Sequence, residues 1–231
     1  MDVFNFLAFP LEVMPYIIIT LIIAFTVHEY AHAAVAYKFG DSTAKNEGRL
    51  TLNPMVHLDP IGTIVLLIAG FGWARPVPVN RFHFKNPRLA GVLVSLAGPL
   101  SNLILAVLGG LLLMVTMNLG WEGTLGKSIY ELFYWFTYLN VLLFVFNLLP
   151  LPPLDGYRMI QDVVSPSTRA KMSQYEVYGM IIFLILIVVD PLYNITLGPV
   201  LQTVIPFFFY GILDFLQLFF LAGFSKITTM L

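Results

Sequence analysis

The chain has 231 residues, 58% hydrophobic and only 11% charged, with a mean hydropathy of +0.85; ordinary soluble domains carry roughly 25% charged residues, so this is the composition of a polytopic membrane protein. A formal net charge of -1, with its 12 basic residues scattered singly, gives no nucleic-acid surface. With no cysteine there are no disulfides and no thiolate nucleophiles or ligands, so any metal must be held by His, Asp or Glu.

The N-terminal stretch MDVFNFLAFPLEVMPY carries Asp2 and Glu12 but neither Lys nor Arg. It lacks the basic n-region of a signal peptide, and the first apolar segment is expected to remain in the mature protein. Measured against the roughly 20 residues that span a bilayer, five crossings are predicted, near residues 13–37, 91–117, 132–152, 177–197 and 200–221. A sixth apolar stretch, residues 61–74, is too short and too glycine-rich (AGFGWA) to be an ordinary crossing. Lys38, Lys45 and Arg49 precede it and Arg75, Arg81, Lys85 and Arg88 follow it, so it is expected to enter and leave on one side. Treating residues 38–90 as one cytoplasmic, membrane-dipping region places 11 of the 12 basic residues inside and only Lys127 outside. The N-terminus is then outside and the C-terminus cytoplasmic.

Residues 48–63, GRLTLNPMVHLDPIGT, alternate in short runs around two prolines and suit an extended or hairpin element. Open backbone at membrane depth must be buried in protein or line a wet cavity, so this loop is expected beside a polar site. The predicted fold is an all-α polytopic membrane protein with about five transmembrane helices plus a cytoplasmic-side re-entrant extended or hairpin element at about residues 48–75. Residues 1–160 form the membrane-embedded core and residues 161–231 supply two C-terminal transmembrane helices able to gate it, within a single domain.

Ionisable side chains in hydrocarbon are costly and usually functional, and TVHEYAHAAVAY places three of them in the first crossing. His28 and His32 are four residues apart and share one helix face, where they can bind one metal ion. Glu29, one step round, reaches the ion's open position. That is the arrangement of a zinc hydrolase, with Glu29 as general base toward a water acidified by the metal. A catalytic zinc site usually has a third protein ligand. Asp155, in FNLLPLPPLDGYRM, is the candidate: the uncharged run before it delivers the carboxylate to the cytoplasmic end of a crossing. Pro150, Pro152 and Pro153 interrupt helix before it, and Gly156 permits a tight turn after it. Asn147 lies eight residues earlier and can donate to a developing oxyanion or hold a substrate carbonyl.

Together these residues resemble the site-2 protease family of intramembrane zinc metalloproteases, in its short bacterial-type branch. The resemblance rests on HEYAH (28–32), NPMVHLDPIGT (53–63), AGPLSN (97–102) and NLLPLPPLDG (147–156), and covers roughly residues 20–160. It implies one Zn²⁺ held by His28, His32 and Asp155, Glu29 as base, and Asn147 positioning substrate or stabilising the oxyanion. It also implies cleavage, toward the cytoplasmic side, of a single-span membrane-protein substrate within the lipid bilayer, often after another protease has trimmed it. The sequence has no PDZ module and no cystathionine-synthase-type domain such as several relatives carry. Because a substrate helix must unwind before attack, residues 53–61 are expected to offer a strand edge to the extended peptide. Asn53, Pro54 and His57 are accordingly read as substrate-binding, although His57 is better suited to tying down its loop than to ligating metal. His83 reads as interfacial, and Asn102 as a residue packed near the site rather than in it. A metal-ion transporter or channel using the same His and Asp groups is the alternative. It predicts ligands distributed along a route, whereas these converge on one depth.

Overall fold

A computed structural model of the chain describes residues 9–69 and 72–228. Asp2, Gly70 and Phe71, and both chain ends, on which the reading of the N-terminus, part of the AGFGWA stretch and the orientation rest, lie outside them. Nine α-helices occur among the described residues: α1 (Met14–Lys38), α2 (Thr43–Asn46), α3 (Pro60–Ala69), α4 (Pro87–Asn118), α5 (Gly123–Asn147), α6 (Asp155–Val163), α7 (Pro166–Val188), α8 (Asp190–Ile195) and α9 (Leu197–Thr228). Helices α1, α4, α5, α7 and α9 are long and apolar enough to cross a membrane, and the protein is a multi-pass membrane protein.

Helix α4 is central, packing against α1, α5, α6 and α9. It starts where Asn86 accepts the N–H of Leu89 at 3.3 Å and Pro87 fixes the first turn. Its buried face is built largely from small residues, among them Gly91, Ser95, Gly98, Ser101 and Ala106, which lets neighbouring helices approach closely. Helix α7 starts well before the predicted crossing at 177–197, because Ser165 caps it and Pro166 opens it. It stops at Val188, ahead of Asp190 and Pro191, which begin α8. Among its side chains only Phe183 is buried, and Ile181, Ile182, Leu184 and Ile185 face outward as lipid contact requires.

The re-entrant region is where structure and expectation part. Residues 48–63 do not form a hairpin: Pro54–Val56 is a 3-10 turn capped by Asn53, and Pro60–Ala69 is helix. The two ends of the stretch do meet: Leu58 and Ala74 form a single antiparallel bridge and Arg75 N–H donates to the His57 carbonyl at 2.8 Å. Residues 53–61 therefore offer no continuous strand edge. The prolines decided this, since Pro54 and Pro60 each open a helical turn, with Asn53 accepting from Met55 N–H at 3.1 Å and Asp59 from Gly62 N–H at 2.7 Å.

The irregular backbone that lies along the site instead follows the dip, at residues 73–80. Buried Arg49 donates to the carbonyls of Arg75 at 2.6 Å and Pro76 at 3.3 Å. Fully buried Asp41 accepts the N–H of Asn80 at 2.6 Å and pairs with His83 at 2.9 Å. Burial pushes the Asp41 carboxyl up, but donors from Thr43, His83 and Asn80 outweigh it and hold the group below its ordinary value. Burial likewise lowers the Arg49 guanidinium.

Candidate metal centre

His28 and His32 project one turn apart from α1, and their Nε2 atoms stand 3.0 Å from each other. Asp155 Oδ2 lies 3.1 Å from the first and 3.2 Å from the second. All three residues are buried. Asp155 reaches them because α5 ends at Asn147 and α6 begins at Asp155 itself, with Pro150, Pro152 and Pro153 in the non-helical connection. The tight turn expected at Gly156 is absent, since Asp155 and Gly156 form the first turn of α6, where a carboxylate is favoured by the helix dipole. Gly156 is required for space: a Cβ there would lie 2.3 Å from the Leu148 carbonyl oxygen.

The tautomers of both histidines follow from their other nitrogens. His32 Nδ1 is 2.7 Å from the Val94 carbonyl, which can only accept, so Nδ1 carries the hydrogen. His28 Nδ1 is 2.7 Å from Asn102 Oδ1. The amide of Asn102 is oriented by donating from Nδ2 to Asn140 Oδ1 at 3.0 Å, and Asn140 in turn donates to the Phe136 carbonyl at 2.8 Å. Asn102 Oδ1 therefore accepts, and His28 Nδ1 also carries hydrogen. Two bare imidazole nitrogens and a carboxylate oxygen consequently converge, and Asp155 Oδ2 finds no hydrogen-bond donor. Such a cluster of lone pairs is suited to sharing one cation. Its edges match donors held about 2.0 to 2.1 Å from one ion, and its N, N, O chemistry suits a divalent metal such as zinc.

The three residues line a cavity of about 270 Å³ together with Glu29, Val77, Arg81, Asn147 and Arg158. Glu29 is buried, and its Oε2 accepts the N–H of Val77 at 2.8 Å. Asn147 Nδ2 donates to the Leu143 carbonyl at 2.9 Å, leaving one amide hydrogen for a ligand. The cavity thus gathers His28, Glu29, His32, Asn147 and Asp155. It does not gather Asn53, Pro54 or His57. His57 is fully buried, with Nε2 donating to the Thr51 carbonyl at 2.8 Å, so it ties down its own loop.

Sequence reasoning missed Asn140, Arg49 and Val77, whereas Asn102, expected to pack near the site, does so against His28. A lone Asn in the apolar run TYLNVLLF was the available sign for Asn140, since intramembrane polar groups need partners. Replacing Asn102 by Leu frees the His28 tautomer and is expected to lower zinc affinity by about 10- to 100-fold, read by chelator competition on purified protein. Unchanged affinity would reduce Asn102 to a packing residue.

Comparison with known proteins points the same way. The model of peptidase family M50 matches residues 109–189, a stretch that contains Asn147 and Asp155. The chain is 61% identical over 200 residues to the Bacillus subtilis protein named "Putative zinc metalloprotease YwhC", covering 86% of this chain and 91% of that one. It is 33% identical over 174 residues to "Putative zinc metalloprotease Rip2" of Mycolicibacterium smegmatis, covering 71% of this chain and 63% of that one. With "Putative zinc metalloprotease MJ0611" of Methanocaldococcus jannaschii it shares 30% identity over 141 residues, 59% of this chain and 64% of that one. No solved structure matched.

Proposed function

The chain belongs to peptidase family M50, and we propose that it is a zinc endopeptidase that hydrolyses a peptide bond in or near the transmembrane segment of a single-span membrane-protein substrate. The observation that carries this reading is the convergence of His28, His32 and Asp155 in the cavity that Glu29 lines. His28, His32 and Asp155 hold one zinc ion, which when bound supplies Lewis acidity to a water and to the scissile carbonyl.

Glu29 takes the proton from the attacking water and passes it to the leaving amine. The Val77 N–H holds one oxygen of that carboxylate and fixes its direction. Asn147 uses its remaining amide hydrogen on the substrate carbonyl, whose oxygen gains negative charge during attack. The N-terminus lies outside, the C-terminus lies in the cytoplasm and the site opens toward the cytoplasmic side, as the distribution of basic residues favours. Transport is disfavoured because the His and Asp ligands form one cluster among the described residues rather than a path.

The reading is tested by reconstituting the purified protein in bilayers with single-span substrates. Cleavage should stop on chelation and return on adding zinc. Absence of cleavage from a zinc-loaded protein across a broad substrate panel, or zinc flux without cleavage, overturns it.

A further inference from the structure

We propose that Arg158 selects substrates carrying a carboxylate close to the scissile bond, an inference that rests on the protease reading above. Arg158 lies three residues beyond Asp155 on α6, one turn along the helix that begins with this ligand, and lines the same cavity as Glu29. Two arginines line that cavity, and their circumstances differ. Arg81 is paired with Asp162, whose side chain is fully buried and which Arg169 also approaches at 3.6 Å. Arg158 is half-buried, and among the described residues no side-chain hydrogen bond or ion pair engages its guanidinium.

The cavity's own carboxylates do not answer that charge. Asp155 faces the two histidines, and Glu29 is held by the Val77 N–H. With a divalent cation in place, Asp155 and Glu29 balance it, and Asp162 balances Arg81. Arg158 is left as the uncompensated cation. A substrate entering the cavity displaces the water that solvates this guanidinium, which is costly unless the substrate brings an anion. A carboxylate meets the planar fork of arginine with two parallel charge-assisted hydrogen bonds. Because Arg158 lines the same cavity of about 270 Å³ as Asp155 and Glu29, that carboxylate belongs to a residue near the cleaved bond. It can be an Asp or Glu side chain, or the terminal carboxylate of a substrate already shortened by another protease.

The test uses the full-length zinc-loaded protein in bilayers and a single-span substrate varied beside the cleavage site to Glu, Gln or Lys. A second pair, ending there in a free acid or an amide, separates the side-chain source from the terminal one. The acidic form is expected to be cleaved with kcat/KM at least about tenfold above its amide counterpart, the size expected of a charge-assisted hydrogen bond. Arg158→Gln should bring that ratio to about one, Arg158→Lys should keep its direction, and Arg158→Glu should move the preference to the Lys substrate. Peptide Kd values measured on Glu29→Gln protein should show the same ratio without turnover. Equal cleavage and equal binding of all forms by the unsubstituted Arg158 site, or a preference that survives Arg158→Gln, overturns the proposal. If the variants do not fold, the wild-type series alone decides it. No cleavage of any form, with the binding preference intact, overturns the protease reading and leaves the anion site standing.

Discussion

Glu29→Gln is expected to lower peptide hydrolysis by about 10²- to 10⁴-fold, the range for removal of a general base, while zinc content stays at the wild-type level. The substitution is nearly isosteric, and the Gln side-chain oxygen can still accept the Val77 N–H that Glu29 Oε2 accepts at 2.8 Å. The triangle formed by His28, His32 and Asp155 is untouched, because Glu29 is not one of its corners. Only the capacity to take a proton is removed. Turnover of a reconstituted substrate, measured beside zinc stoichiometry, separates the possibilities. Zinc lost in proportion to activity would make Glu29 part of the metal's support, and retained cleavage would place the base elsewhere.

Gly98→Ala is expected to cost the protein its metal. Helix α4 passes directly behind the two imidazoles, and a Cβ on Gly98 would lie 2.4 Å from His32 Nε2 and 2.6 Å from His28 Nε2. Neither ring can retreat and keep its hydrogen bond, since Nδ1 of one is held by Val94 and Nδ1 of the other by Asn102. One methyl group therefore enters the space where the metal-facing nitrogens converge. Zinc affinity should fall by more than about 100-fold, beyond the 10- to 100-fold loss typical of a disturbed supporting shell, and cleavage should fall with it. Helix content should persist, because Ala is the better helix former. Gly211→Ala on α9 is the control, since nothing lies within 4 Å of its added Cβ. Equal zinc content in the two variants would show that α4 yields at Gly98.

Residue identity alone carried a large part of this protein. Charge is so costly in hydrocarbon that HEYAH in an apolar run had to mean a paired or metal-bound cluster. The helical period then put both histidines on one face without knowledge of any neighbour. Asp155 was legible for the same reason, as an acidic group arriving at the end of a long uncharged run. The basic flanks of residues 61–74 gave the expectation that the chain enters and leaves on one side, and Leu58 meets Ala74 in the structure. The prolines beside residues 53–61 were visible too, but extended and helical starts both use proline, and local pattern did not separate them.

The sequence by itself determined the number of long apolar helices and brought His28, Glu29, His32, Asn147 and Asp155 to notice, though not the rest of the cavity wall, because burial cost and helical periodicity are properties of residue type and spacing. Only the tertiary structure decided what directs those side chains. Glu29 is held by the N–H of Val77 and His32 by the C=O of Val94, groups that nearly every residue carries whatever its side chain. Nothing in the identity of a valine marks its backbone as a partner; packing alone brings it there.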